Sequence, residues 1–237
     1  MWKIVVSGLF DEGESEAALE EDGRTQNMSS REEVQRLIRE ALASDKPKLL
    51  DCFCGMGGVS DGFALEGFDV TGIDIVDAPK MLGYKHKFKQ ADMKDLWGYN
   101  FQGYDVIWGS PPCRHFTILN DARWKEKKDP EKGMELINVF LDFVKKAQPT
   151  FWIMENVFGL EKYLPNAQIS KAVIGGKRHV FYGNFPPFLL PQSSKFKIGE
   201  SCGWDKLAHW KRSKIPLACS RAFAVACRQK LLEVSGV

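Results

Sequence analysis

The feature that most constrains this chain is an alternation. Short apolar segments trade places with helix-forming ones, and several apolar segments run into a single polar or reactive residue. Lys48-Leu49-Leu50-Asp51 reads as a strand entering a glycine-rich loop, and Ser60 to Glu66 as a helix stopped by Gly67. Asp69-Val70-Thr71-Gly72-Ile73-Asp74 is a second strand and Asp105-Val106-Ile107-Trp108 another. Gly133 to Lys146 carries Leu136, Ile137, Phe140 and Phe143 at helical spacing. Thr150 to Met154 is a strand running into Glu155-Asn156-Val157, and Val180-Phe181-Tyr182 a further one. Such alternation predicts an α/β fold with a mostly parallel sheet covered by helices on both faces. Ligands of these sheets bind beyond the carboxyl ends of the strands. Asp51, Asp74, Cys113 and Glu155 all fall at such ends.

The 237 residues suffice for one such domain and a small appendage. With 44% hydrophobic and 27% charged residues the composition is globular rather than disordered. A net charge of +2 carries no bulk signal for nucleic acid, so any such signal is local. No apolar run spans a bilayer, and Met1 to Val6 is too short for a signal-peptide core. The six cysteines (52, 54, 113, 202, 219, 227) form no paired framework, which predicts reduced thiols and a cytoplasmic setting. Residues 1–28 read as peripheral, with seven acids and no base between Asp11 and Asp22. Ser30 and Glu33 form a capping box, and Val34, Leu37, Ile38, Ala41 and Leu42 predict an amphipathic helix over 31–43.

The loop Asp51-Cys52-Phe53-Cys54-Gly55-Met56-Gly57-Gly58 lies between a strand and a helix. Its glycines allow a sharp turn and close approach of backbone to ligand, and the helix start offers N–H groups to a carboxylate. Asp74, nineteen positions after Gly55, suits the two hydroxyls of a ribose. Asp92 reads equally as an acceptor for an adenine amino group or as a cap of the following turn. A nicotinamide enzyme would share much of this, although the loop does not fit G-x-G-x-x-G. Cys52 and Cys54 lack the further ligands a metal site needs, so no metal is expected.

Ser110-Pro111-Pro112-Cys113 follows a buried-looking strand. Two prolines stiffen the loop, and a stiff loop at the sheet edge can hold a thiol against a substrate ring. Alone, Cys113 reads more readily as a packed small residue. Glu155 ends an apolar strand, where a carboxyl can stay protonated and act as an acid; alone it reads slightly better as a cap.

The ordered set Phe53-x-Gly55-x-Gly57-Gly58, Asp74, Pro112-Cys113 and Glu155-Asn156-Val157 resembles the cytosine-C5 DNA methyltransferase family. The likeness runs from about 48 to 181 with an echo at 215–226. It implies a Rossmann-like fold and S-adenosylmethionine (SAM) held by Asp51, Phe53, Gly55, Gly57, Gly58, Asp74, Asp92 and Pro112. It further implies DNA as substrate, with the target base flipped from the helix. By that resemblance Cys113 would add to C6, Glu155 would act at N3, and C5 would take the methyl group. The stretch after the cysteine, Arg114 to Thr117, would belong to a loop closing on substrate, with Arg123 to Lys128 available to phosphates.

Two departures stand out. The family's Q-x-R-x-R segment is only echoed by Gly175-Gly176-Lys177-Arg178-His179-Val180, and residue type favours Arg178 as the base-contacting group, then Lys177. Strand alternation puts Lys177 and His179 on one face and Arg178 on the other. The recognition region is reduced to residues 183–214, between a catalytic domain at 29–182 and a returning helix at 215–237. From Lys195 to Lys214 six Lys/Arg face two acids, with Trp204 and Trp210 interleaved, a pattern suited to stacking on nucleic acid. A very short site, little specificity, a recognition partner protein and a smaller pyrimidine substrate all stay open. So do an amino-group methyltransferase, permitted by Ser110-Pro111-Pro112, and a non-catalytic nucleic-acid-binding relative.

Overall fold

Among the described residues of the computed structural model, seven strands make one sheet in the order β3-β2-β1-β4-β5-β7-β6. Described are residue 32 and residues 46–99, 101–117, 127–164, 168–174, 177–190 and 207–235. The acidic segment and the helix expected over 31–43 lie outside them, apart from a helical Glu32. Strands β1 (Lys48–Cys52), β2 (Asp69–Asp74), β3 (Lys87–Gln90), β4 (Val106–Gly109) and β5 (Phe151–Asn156) are parallel. β6 (Ile169–Ile174) and β7 (Lys177–Asn184) close the sheet, with β7 antiparallel to both β5 and β6.

Side-chain alternation along each strand feeds two separate cores. Leu50, Ile107, Met154 and Tyr182 face helix α3 (Pro130–Ala147), which returns Ile137, Phe140 and Phe143. Their neighbours Leu49, Val106, Ile153 and Phe181 face helices α1 (Gly58–Leu65) and α5 (Leu217–Ser235). Asp129 caps α3, accepting from Lys132 N at 3.1 Å, and Gln148 ends it in the left-handed region. On the other face Trp108, Phe181, Phe185, Phe188 and Phe223 form one aromatic cluster, with the Phe188 and Phe223 rings stacked at 3.8 Å. Each fully buried ring contributes roughly 1.5–3 kcal/mol of apolar transfer free energy.

Helix α5 crosses α1 at very close range. A Cβ placed on Gly62 would lie 2.6 Å from Ser220 Cβ and 2.8 Å from Arg221 N. Lys214 Nζ donates to Asp61 Oδ2 at 2.8 Å, so the chain entering α5 is also tied to the first turn of α1. The sequence reading set no bounds for β3 and missed β6 and the five-residue helix α2 (Ala78–Leu82). β3 and β6 are short strands at the sheet edges, with mixed polarity and no clean period of two. The remaining helix, α4 (Ala208–Ser213), precedes α5.

Candidate active site

The loop after β1 turns on three left-handed residues, Phe53 (φ 60), Gly55 (φ 49) and Gly57 (φ 72). Glycine adopts that region freely, whereas a bulky Phe there is an outlier that its surroundings must hold in place. Cys54 N donates to Ile73 O at 3.1 Å and Gly57 N to Cys54 O at 2.8 Å, which supplies that restraint. Asp74 draws the loop to the end of β2. Its Oδ2 accepts from Gly55 N at 2.9 Å and its Oδ1 from Val76 N at 3.2 Å. An ionised carboxylate has about four acceptor positions, so both oxygens retain one for a ligand. Beside it Ile75 is 62% exposed, an apolar surface that sequence reasoning passed over.

Asp51, which the resemblance placed among the SAM-holding residues, is buried. Only 1% exposed, it turns inward, where Oδ2 accepts from Ser60 N at 3.2 Å and from Ser60 Oγ at 2.6 Å. The Tyr84 hydroxyl lies 2.8 Å from the same Ser60 Oγ. Burial pushes the Asp51 carboxyl up to about 7. The group therefore shapes the loop from behind, because its hydrogen-bond partners lie in α1. Asp92 caps the 3-10 turn Met93–Gly98, accepting from Lys94 N at 2.9 Å.

Trp210 also departs from expectation. Read as part of a nucleic-acid-facing segment, its ring instead packs against the glycine loop, 3.4 Å from where a Cβ on Gly55 would lie. Leu207 joins it against Cys54, Ala78, Leu82 and Tyr84. Lys195, Lys197, Trp204 and Lys206, like Arg123 to Glu126, lie outside the described residues.

Cys113 sits at the end of the proline loop. Ser110 N donates to Cys52 O at 3.2 Å, which joins the loop's start to β1, and Trp108 Nε1 donates to Ser110 Oγ at 3.0 Å. Asn156, fully buried, donates from Nδ2 to Pro111 O at 3.0 Å. After Cys113 the chain folds back at once, with Phe116 N and Thr117 N both donating to the Cys113 carbonyl at 3.0 Å. Cys113 itself is exposed, while Cys52, Cys54, Cys219 and Cys227 are buried. Desolvation by the surrounding protein, followed by the charge of Glu155, pushes the Cys113 thiol up to about 11. His115 Nδ1 accepts from Asp129 N at 3.0 Å, at the start of α3.

Glu155 lies on β5 one position before Asn156, so the two side chains leave the strand on opposite faces. Glu155 Oε1 lies 2.9 Å from His179 Nδ1 on β7. Strand β7 thus brings His179 to the carboxylate. Arg178, which residue type favoured, holds the alternate register position opposite Val173. Residue type had favoured Arg178 for contact with the base, a separate role from the contact that His179 makes with Glu155.

A parallel five-strand block extended by an antiparallel β7 and β6, with a glycine loop after β1 and an acid ending β2, defines a Rossmann-like α/β fold of the SAM-dependent methyltransferase type. The family model for C-5 cytosine-specific DNA methylases matches residues 47–172, just over half of the chain, and the chain belongs to this family. It is 26% identical over 126 residues to the Type II methyltransferase M.AgeI of Thalassovita gelatinovora, covering 48% of this chain and 28% of that protein. It is 30% identical over 122 residues to M.DdeI of Desulfomicrobium norvegicum, covering 47% and 28% respectively. A probable DNA (cytosine-5)-methyltransferase of Frog virus 3 is 28% identical over 119 residues, 46% of this chain and 53% of that one. The chain thus spans just over a quarter of the length of these bacterial relatives and about half of the viral one. Among solved structures, the Dnmt2 methyltransferase of S. pombe overlaps 58% of this chain and 50% of its own, at 20% identity and a TM-score of 0.39. Among the described residues no helix is long and apolar enough to cross a membrane.

Proposed function

We propose that this protein transfers a methyl group from SAM to C5 of cytosine in DNA, through a covalent bond from Cys113 to C6. The observation that carries the reading is the bond from Asn156 Nδ2 to Pro111 O, which ties the proline loop bearing the exposed Cys113 to the end of the strand bearing Glu155. The residues around the glycine loop fit the cofactor. Asp74 keeps acceptor positions for ribose hydroxyls, Ile75 offers an apolar face, and the eight-residue helix α1 starts at the loop. Phe53, Gly55, Gly57 and Gly58 shape this cradle, Pro112 borders it, and Asp92 serves the adenine end. When bound, SAM supplies an electrophilic methyl group.

Cytosine C5 is too weak a nucleophile to react unaided. The Cys113 sulfur bonds to C6, its proton passing to water, and the ring electrons move toward C5. Glu155 protonates or hydrogen-bonds N3 and so holds the ring as an enamine. C5 would then take the methyl group, the cofactor leaving as its demethylated thioether, and lose its own proton to water. The C6–S bond breaks as the C5=C6 bond re-forms, Cys113 leaves as thiolate and recovers a proton from water, and N3 gives back any proton it took. A thiol raised to about 11 must lose its proton as the base arrives, which ties nucleophile formation to substrate binding.

Residues 29–182 carry this chemistry in the proposal, and 215–237 return to brace the cofactor loop. Recognition beyond the flipped base falls to 183–214 or to a partner protein. Incubation with SAM and DNA containing 5-fluorocytosine tests the reading, since fluorine cannot leave C5 as a proton does. A covalent adduct that is absent from Cys113→Ala is expected. An equal adduct yield from that variant would overturn the assignment.

A further inference from the structure

Two strands running in opposite directions bring Glu155 and His179 together. Glu155 pairs with Phe181 across β5 and β7, so His179, two residues earlier, lies diagonal to it on the same face of the sheet. Its Nδ1 is 2.9 Å from Glu155 Oε1, and the two side chains are 10% and 18% exposed. The imidazole plane lies 12° from that of Phe181, with the ring centroids 6.3 Å apart. The imidazole is thus largely buried and paired with a carboxylate. The groups sharing this environment are Cys113 on the proline loop, Cys219 on α5 and Tyr182 on β7, each of which feels the charge of Glu155.

We propose that His179 is the positioning residue for Glu155, donating from Nδ1–H to Oε1 and so presenting Oε2 to N3 of the pyrimidine. This rests on the reading of Glu155 as the acid of a cytosine methyltransferase. A glutamate has three rotatable bonds, and a carboxyl fixed at one oxygen is far closer to a single productive geometry. In this arrangement Nδ1 is the donor, which leaves Nε2 of a neutral ring as an acceptor. Arg178, one position away, holds the register position on β7 opposite Val173.

The role depends on which ring atom donates, and that makes it separable from simple packing. An asparagine side chain carries its amide nitrogen at about the reach of imidazole Nδ1, whereas glutamine carries it at about the reach of Nε2. In the full-length protein acting on DNA, His179→Ala is expected to lower kcat roughly 10–100-fold, the loss expected for one charge-assisted hydrogen bond, with KM for SAM little changed. His179→Asn should recover most of kcat, and His179→Gln should not. Nitrogen-15 spectra of histidine-labelled protein, which has four histidines, should show one Nδ1–H resonance that moves in Glu155→Gln. Unchanged kcat in His179→Ala, equal defects in the Asn and Gln variants, or an Nε2–H tautomer at His179 would each overturn the proposal. Failure of the wild-type protein to form the 5-fluorocytosine adduct would instead overturn the methyltransferase reading. The two failures are told apart because the Nδ1–H resonance requires no turnover.

Discussion

Asn156 Nδ2 donates to the Pro111 carbonyl oxygen across 3.0 Å, and that bond pins the loop carrying Cys113 to the strand carrying Glu155. Asn156 and Glu155 leave β5 on opposite faces, so one strand end grips the nucleophile's loop and presents the acid. The Asn156 Oδ1 in turn accepts from Val157 N at 2.9 Å, which fixes the amide's orientation. In Asn156→Ala the buried Pro111 carbonyl is left without this donor, at a cost of about 1–3 kcal/mol. Thermal unfolding should shift down accordingly. Methyl transfer should fall more than SAM binding, because the cofactor loop is anchored elsewhere. Equal losses in both, measured by turnover and by calorimetric titration, would count against a loop-positioning role.

The charge of Glu155 contributes to holding the Cys113 thiol high. In the free protein, iodoacetamide should label Cys113 slowly near neutral pH, with a rate rising toward pH 11. Glu155→Gln removes the negative charge, so the midpoint of that pH–rate curve should move down. Peptide mass spectrometry resolves this site, since the other four described cysteines are buried. A curve unmoved by Glu155→Gln would show that desolvation alone sets the thiol.

Asp51 predicts an unusual pH dependence of stability. Its carboxyl is raised to about 7 in the folded chain, whereas a free aspartate titrates near ~4. Between these values the unfolded chain has lost the proton that the folded chain still holds, so stability falls as pH rises through this window. It levels off above about 7. Asp51→Asn retains an acceptor for Ser60 and carries no charge. Urea unfolding of the variant should therefore show a flatter pH profile from 4 to 7, with its largest relative gain above pH 7. An identical slope in both proteins would exclude Asp51 as the source.

Gly62 separates helix propensity from packing. An alanine in a helix interior is ordinarily favoured over glycine by about 0.8–1.0 kcal/mol. Here the new Cβ would meet Ser220 Cβ at 2.6 Å and Arg221 N at 2.8 Å. Overpacking against backbone costs typically about 1–3 kcal/mol, which exceeds the propensity gain. Gly62→Ala should lower the urea midpoint, and Ser220→Gly in the same chain should restore part of it. A stabilised single variant would mean that α1 and α5 are not locked at this distance.

Much of the architecture was legible from local pattern. Leu49 and Leu50, Ile107 and Trp108, and Phe181 and Tyr182 are short apolar runs, and a parallel sheet buried on both faces requires such runs. Gly55 and Gly57 marked the loop because left-handed backbone is costly for most other residues. Cys113, Glu155 and Asp74 were visible as reactive or charged side chains at strand ends. What the sequence by itself determined was therefore the set of elements and the chemistry available at their ends. Which groups meet was a matter of tertiary structure. Asp51 turning to Ser60, Trp210 packing on Gly55, Asn156 gripping Pro111 and His179 reaching Glu155 all follow from strand order, register and the return of the chain after β7. Such contacts join residues that residue type and local spacing do not pair. They exist because folding closes long loops and orients each side chain by the pleat of its strand, and only the assembled sheet supplies that geometry.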